Sequence, residues 1–165
     1  KIFNINNDNF LFNWEWTQME QTGSRLIRNA GSWYEHGYVY DGYTNKGEVL
    51  GSSIGPGSNS HYFSLNRIRN RELIGIGFEI IDNDNDFYHE AFASARDYRR
   101  YWKDLNLHLK YNKSFKYFNI SSNLVYIRSL NYQWELDDFA EPYYHPGRDV
   151  DNFHLSLKLT YFGNW

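Results

Sequence analysis

Val150-Asp-Asn-Phe-His-Leu-Ser-Leu-Lys-Leu-Thr-Tyr-Phe-Gly-Asn-Trp165 alternates with a period of two. One parity carries Phe153, Leu155, Leu157, Leu159, Tyr161 and Trp165, and the other Asn152, His154, Ser156, Lys158, Thr160 and Asn164. Successive side chains of an extended strand point to opposite faces, so this run has one apolar and one polar face. A helix would wrap the apolar parity around its whole circumference. The run is also long enough to cross a bilayer, which takes a tilted strand about 9–11 residues.

The pattern recurs upstream. Phe10, Phe12, Trp14 and Trp16 alternate with Leu11, Asn13, Glu15 and Thr17, and Ile74, Ile76, Phe78 and Ile80 with Leu73, Gly75, Gly77 and Glu79. Leu105, Leu107, Leu109 and Tyr111 alternate with Asp104, Asn106, His108 and Lys110. A further strand puts Phe118, Ile120, Leu124, Tyr126, Leu130, Tyr132 and Trp134 opposite Asn119, Ser121, Asn123, Asn131 and Gln133. Arg128 falls on its apolar parity and Val125 and Ile127 on its polar one, which a bulge or a different strand end would explain. Asn66–Asn70 and Asn112–Phe115 read as tight turns, whereas Gly42–Asn59, Asp82–Arg100 and Asp137–Asp149 read as long polar loops. About six or seven strands are expected, against eight for the smallest barrel whose interior side chains fill.

Composition agrees. Fifteen Tyr, twelve Phe and six Trp occur in a chain whose mean hydropathy is only −0.74. A helical membrane protein would be far more apolar, and a soluble core needs fewer aromatics. A transmembrane β-barrel accommodates both, because alternate residues face lipid and aromatic girdles mark the two interfaces. The expected fold class is therefore all-β, an antiparallel outer-membrane-type barrel, with residues 1–165 forming the C-terminal part of one barrel domain. A soluble sandwich would alternate similarly, but with shorter strands. A net charge of −3 argues against a nucleic-acid partner, and the absence of cysteine removes disulfides, thiolate metal sites and cysteine nucleophiles. The lysine at position 1 is expected of a processed chain or a fragment of a longer protein.

The segment Trp33–Gly57 resembles one found in the Wzi-type capsule assembly family: Tyr-x-His, then Gly-Tyr-x-x-x-Gly-x-x-Leu-Gly-x-x-x-Gly. Those positions are Tyr34, His36, Gly42, Tyr43, Gly47, Leu50, Gly51 and Gly55. The subsequent order of hairpin, long polar loop, two long strands and an aromatic-terminated strand is also similar, so the resemblance runs from about residue 10 to the end. It implies an eighteen-stranded barrel in the outer membrane of a Gram-negative bacterium, binding capsular or another surface polysaccharide and anchoring it without catalysis. Outer-membrane lipid, and in principle other outer-membrane proteins, would be its further partners. The chain is too short for that barrel alone and lacks the family's N-terminal strands and periplasmic helical part.

The chemistry legible in the residues favours binding. Asp82, Asp84 and Asp86 begin like a calcium loop, but Phe87 and Ala93 stand where an EF-hand needs glycine and a bidentate glutamate. His36, His61, His89 and His145 lack metal-ligand spacing, and Ser52, Ser53 and Ser58 lie in no nucleophile elbow. Asp137 and Asp138 are sequence neighbours, which does not by itself aim two carboxylates into one cleft. No catalytic residue, metal or cofactor is expected. Sugars are held by aromatic rings on their C–H faces and by polar groups on their hydroxyls, and arginine suits an acidic sugar. The candidate glycan contacts are Tyr43, Tyr88, Tyr98, Arg99, Arg100, Tyr144 and Arg148, with Asn45, Lys46, His89, Tyr101, Tyr143 and His145 nearby. A porin or small-solute channel is the competing expectation, drawn from Glu79, Asn106, His108, Lys110 and Lys158 on the polar parity. A hydrolase is the third, without a partnered nucleophile to support it.

Overall fold

The computed structural model describes residues 2–5, 8–27, 31, 33–34, 38–39, 42–46, 48–136 and 147–163. Its principal element is a seven-stranded, wholly antiparallel sheet. The strands are β1 (Ile2–Ile5), β2 (Asp8–Gln18), β5 (Asn59–Arg69), β6 (Glu72–Asp82), β7 (Lys103–Ser114), β8 (Phe118–Leu130) and β9 (Val150–Tyr161), in that spatial order. A small hairpin of β3 (Thr44–Asn45) and β4 (Glu48–Val49) lies apart. The sheet is open, with β1 at one edge and β9 at the other. Among the described residues no helix is long and apolar enough to cross a membrane.

Alternation survives intact through the register. Phe12, Leu65, Ile76, Leu109, Leu124 and Leu155 align across six strands, and Trp14, Phe63, Phe78, Leu107, Tyr126 and Phe153 form the next row. These rows face outward: Trp14 is 62% exposed and Leu155 60%. Charged pairs bound them on both sides, Glu72–Lys113 and Arg67–Asp8 toward one end, Asp82–Lys103 and Arg128–Asp149 toward the other. The opposite face is polar and shielded. Ser60, Ser64, Asn66, Asn106 and Ser129 are buried there, with Val125 among them. Gly75 and Gly77 make room on this face: a Cβ at Gly77 would stand 2.9 Å from the Tyr62 hydroxyl and 3.3 Å from the His108 Cβ. Tyr62 therefore lies across β6, its hydroxyl accepting from Lys110 Nζ at 2.7 Å and its ring meeting the His108 ring edge-on.

Several local expectations need correction. The β5–β6 turn is Asn70-Arg71, both at positive φ (46° and 62°), as two-residue hairpins require. Residues 66–69, expected in the turn, continue β5, because Arg67 and Arg69 keep the alternation and pair with Asp8. Likewise β7 runs to Ser114, and the turn spans 115–117, closed by Phe115 N–H on the Phe118 carbonyl at 2.8 Å. No bulge relieves Arg128: β8 pairs continuously with both neighbours, and Arg128 reaches Asp149 and Asp151 from the apolar face. The strand also stops at Leu130. Asn131, Gln133 and Trp134 take positive φ (54°, 51° and 53°), so the chain turns over Tyr132–Trp134.

All short connections lie at one end of the sheet. The long ones, residues 19–58, 83–102 and 131–149, begin and end at the other.

Candidate functional site: the long-loop rim

The first two long connections are tied together through partly buried polar groups. Glu20 accepts from Arg25 Nη1 at 2.7 Å, Asn59 Nδ2 at 2.6 Å and Asn85 Nδ2 at 3.0 Å. Burial works against its charge, but the bonds from Arg25, Asn85 and Asn59 and the Arg25 charge outweigh this, so its pKa falls below the ordinary value. Asp86 accepts the Gln21 N–H through both oxygens at 3.1 Å, and Asp84 caps the helical turn α1 (Asn85–Tyr88) through the Phe87 N–H. Burial pushes both of these carboxyls upward in pKa. The backbone adds Met19 N–H on the Ser58 carbonyl and Asn85 N–H on the Gly57 carbonyl. The alternating aspartates thus diverge: Asp82 pairs with Lys103, Asp84 caps a helix, and Asp86 holds the 19–26 segment. Among the described residues no three His, Asp or Glu side chains gather as metal ligands.

Above this polar frame sits an aromatic cluster. Trp134 is buried against Phe87, Trp102 and Phe92, with ring centroids 5.1, 5.5 and 5.8 Å away. Tyr88 is buried too, its ring tilted against Tyr101 at 4.2 Å and its hydroxyl donating to the Arg99 carbonyl at 2.6 Å. Arg99 lies 4.5 Å over the Phe92 ring, donates to the Trp134 carbonyl at 3.2 Å and pairs with Asp97 at 2.8 Å. Two of the expected glycan contacts, Tyr88 and Arg99, are therefore engaged in holding the loops. His89 packs against Tyr88 and Tyr101, and burial followed by the Arg25 charge lowers its pKa. His61 is elsewhere, stacked on Trp16 on the apolar face of the sheet.

The remaining expected contacts are more open. Tyr98 is 73% exposed, and Tyr43 is exposed while its ring stacks on Tyr34. Arg100 lines a cavity of about 350 Å³ with Tyr101, Lys103, Leu130, Asn131, Gly147 and Asp149. Arg148 is next to it in sequence and reaches Glu135 at 3.3 Å. Tyr144 lies outside the described residues, as do Tyr143, His145, His36, Asp137, Asp138 and Trp165. The cavity was not legible in the sequence. Asn131, read there as a polar strand residue, is its buried floor, donating to the Arg100 carbonyl while its own Oδ1 has no partner among the described residues. A carboxamide, two cations, a carboxylate and a tyrosine ring around one cavity can bind a polyhydroxylated ligand.

The Trp33–Gly57 motif is also explained locally. Tyr34 accepts the Tyr43 N–H at its carbonyl and the Ser52 N–H at its hydroxyl, and Leu50 N–H donates to the Tyr43 carbonyl. Any Cβ at Gly51 would fall inside the Tyr34 ring, so that glycine is required by the packing. His36 and Gly47 lie outside the described residues. The chain matches no family model, no curated protein and no solved structure. The likeness to capsule assembly proteins rests on the quoted residues alone.

Proposed function

We propose that the sheet is part of a transmembrane β-barrel of the outer membrane. Its long-loop rim binds and anchors a surface polysaccharide without catalysis. The observation that carries the membrane part is the inverted distribution of side chains: leucines and aromatics exposed, serines and asparagines buried. In water that arrangement forfeits the hydrophobic driving force; in lipid it is the stable one. The charged rows supply a scale. Glu72 and Asp82 end the same strand, ten residues apart, or ~33 Å at about 3.3 Å per residue. Tilted by the ~40° usual in such barrels, this spans ~25 Å, the height of their apolar band. An open sheet whose edge strand β9 is exposed on both faces requires further strands to close, consistent with a larger barrel.

The polysaccharide part rests on the sequence resemblance and on the Arg100 cavity beside the exposed Tyr98. Planar-bilayer conductance and glycan retention test it together. An anchor should pass little current, and Arg100→Ala with Tyr98→Ala should loosen the polysaccharide from cells while insertion is unchanged. Steady large currents with undiminished retention would instead identify a channel, the reading that the charged residues of the polar face support. Arg99 is left unmutated here because its loss would disturb the loops themselves.

A further inference from the structure

We infer that the short-turn rim of the apolar face binds the phosphate headgroups of anionic phospholipids. This rests on the proposal that the face lies in a bilayer. The two rims of that face differ in charge. At the short-turn end, Arg67, Arg69 and Lys113 on the strands and Lys116 in a turn meet, among the described residues, only Asp8 and Glu72. At the long-loop end, Lys103 and Arg128 meet Asp82, Asp149 and Asp151. Four cations against two carboxylates leave the turn rim net positive, whereas at the loop rim Lys103 and Arg128 are each matched by carboxylates.

The excess is placed where headgroups would be. Arg67 aligns with Phe10 and Ile74, at the boundary of the apolar rows, and Arg69 lies two residues nearer the turn. One carboxylate, Asp8, serves both guanidinium groups through their Nε atoms, at 2.7 and 3.4 Å. Side chains of both arginines remain about half exposed. Guanidinium matches phosphate with paired N–H donors, and a cation near an anionic lipid surface gains affinity from the surface potential. The same rim carries interfacial rings. Phe115 stacks on Phe118 at 4.5 Å, Lys116 lies 4.9 Å over the Tyr117 ring, and Tyr161 and Phe162 are exposed beside them. Rings of this kind sit at headgroup depth, which brings the flanking cations to the phosphates.

The experiment compares the whole protein folded into phosphatidylcholine vesicles and into vesicles containing phosphatidylglycerol, with retained lipid identified by native mass spectrometry after detergent extraction. Phosphatidylglycerol should be retained about tenfold or more over its share of the membrane, an enrichment that salt reduces. Arg69→Gln, Lys113→Gln and Lys116→Gln together should abolish the enrichment while insertion into phosphatidylcholine persists. Arg128→Gln, at the other rim, should leave it intact. Equal retention of the two lipids by an inserted wild-type protein, or enrichment surviving in the triple variant, overturns the inference alone. Failure to insert into either vesicle overturns it together with the membrane reading beneath it.

Discussion

The sheet and the loops above its rim place the same residue types in opposite surroundings. In the sheet, Leu155, Trp14 and Ile76 are exposed and Ser64 and Asn106 are buried. In the loops, Trp134 and Tyr88 are buried in an aromatic cluster, and the exposed positions include Arg100, Arg148 and Glu135. Around Trp134 and Tyr88 the loops follow the rule for a protein in water, where apolar surface is removed from solvent, while Ile27, Trp33 and Tyr38 of the 19–58 connection stay exposed. The sheet has the inverse distribution, the one that the proposed membrane setting would favour. The change falls near Asp82, Lys103 and Leu130, where strands give way to loops.

The largest expected effect is in the loops. Trp134→Ala removes the ring that Phe87, Phe92 and Trp102 enclose, and truncating a buried tryptophan costs about 3–5 kcal/mol. Amide exchange in residues 83–102 should accelerate accordingly, with the sheet amides unchanged, while Trp134→Phe should be mild. Protection unaltered in Trp134→Ala would mean that the cluster is not the core of the loops. The sheet should respond to the reverse change. Leu109→Arg places a charge in the central apolar row, at a cost of about 2–4 kcal/mol near the midplane of a bilayer. Ser121→Arg, one strand away on the polar face, should cost much less. Reversible folding into vesicles measures both, and equal costs would dissolve the distinction between the faces.

Much of the sheet was legible because a period of two needs no tertiary information. The alternation of Phe153 to Tyr161, Ile74 to Ile80 and Leu105 to Tyr111 reads directly as strands. What failed lay at strand ends, where charge and turn chemistry look alike. Arg67 and Arg69 resemble turn residues until Asp8, from a strand 59 positions away, pairs with the first of them. Trp134 matched the strand parity, yet the positive φ of Asn131 had already ended the strand. The loop site was the least legible. Tyr88 and Arg99 have the composition of sugar contacts, but the Tyr88 bond to the Arg99 carbonyl depends on how the 83–102 loop folds back on itself, and the Arg99 bond to the Trp134 carbonyl on packing between separate loops. Asn131 and Lys103 meet in one cavity only through the β7–β8 pairing.

A smaller effect tests the polar face alone. Alanine in place of a strand glycine ordinarily strengthens the strand, since glycine costs conformational entropy and packs nothing. At Gly77 the sign should reverse. Its Cβ would meet the Tyr62 ring at 3.1 Å and the His108 Cβ at 3.3 Å, and overpacking of this kind costs about 1–3 kcal/mol. Tyr62 would have to leave β6 and its contact with Lys110. Adding Tyr62→Ala should recover part of the loss. A stabilising Gly77→Ala would mean that the polar face is loosely filled and that Tyr62 moves without cost.

The smallest effect concerns the boundary between the two regimes, where Glu20 joins the 19–26, 59 and 85 segments. Its carboxylate is hydrogen-bonded and held below the ordinary pKa, so the unfolded loop binds protons more readily than the folded one as the pH falls. The stability it contributes is therefore complete above the unfolded pKa and disappears as the pH drops through the lower folded value. Glu20→Gln keeps the shape and removes the charge, at a cost of ~1 kcal/mol at neutral pH, given hydrogen bonds to a charged group that solvent still partly reaches. The difference between variant and wild type in exchange of the Met19, Gln21 and Asn85 amides should shrink on acidification and vanish below the folded pKa. Burial raises the pKa of Asp84 and Asp86, so their charge opposes the folded loop at neutral pH and acidification relieves it. Asp86→Asn should then show the opposite trend, gaining on the wild type as the pH rises. If both variants drifted in the same direction, the loop bonds would not depend on which carboxylate carries the charge, and Glu20 would lose its place as the tie between sheet and loops.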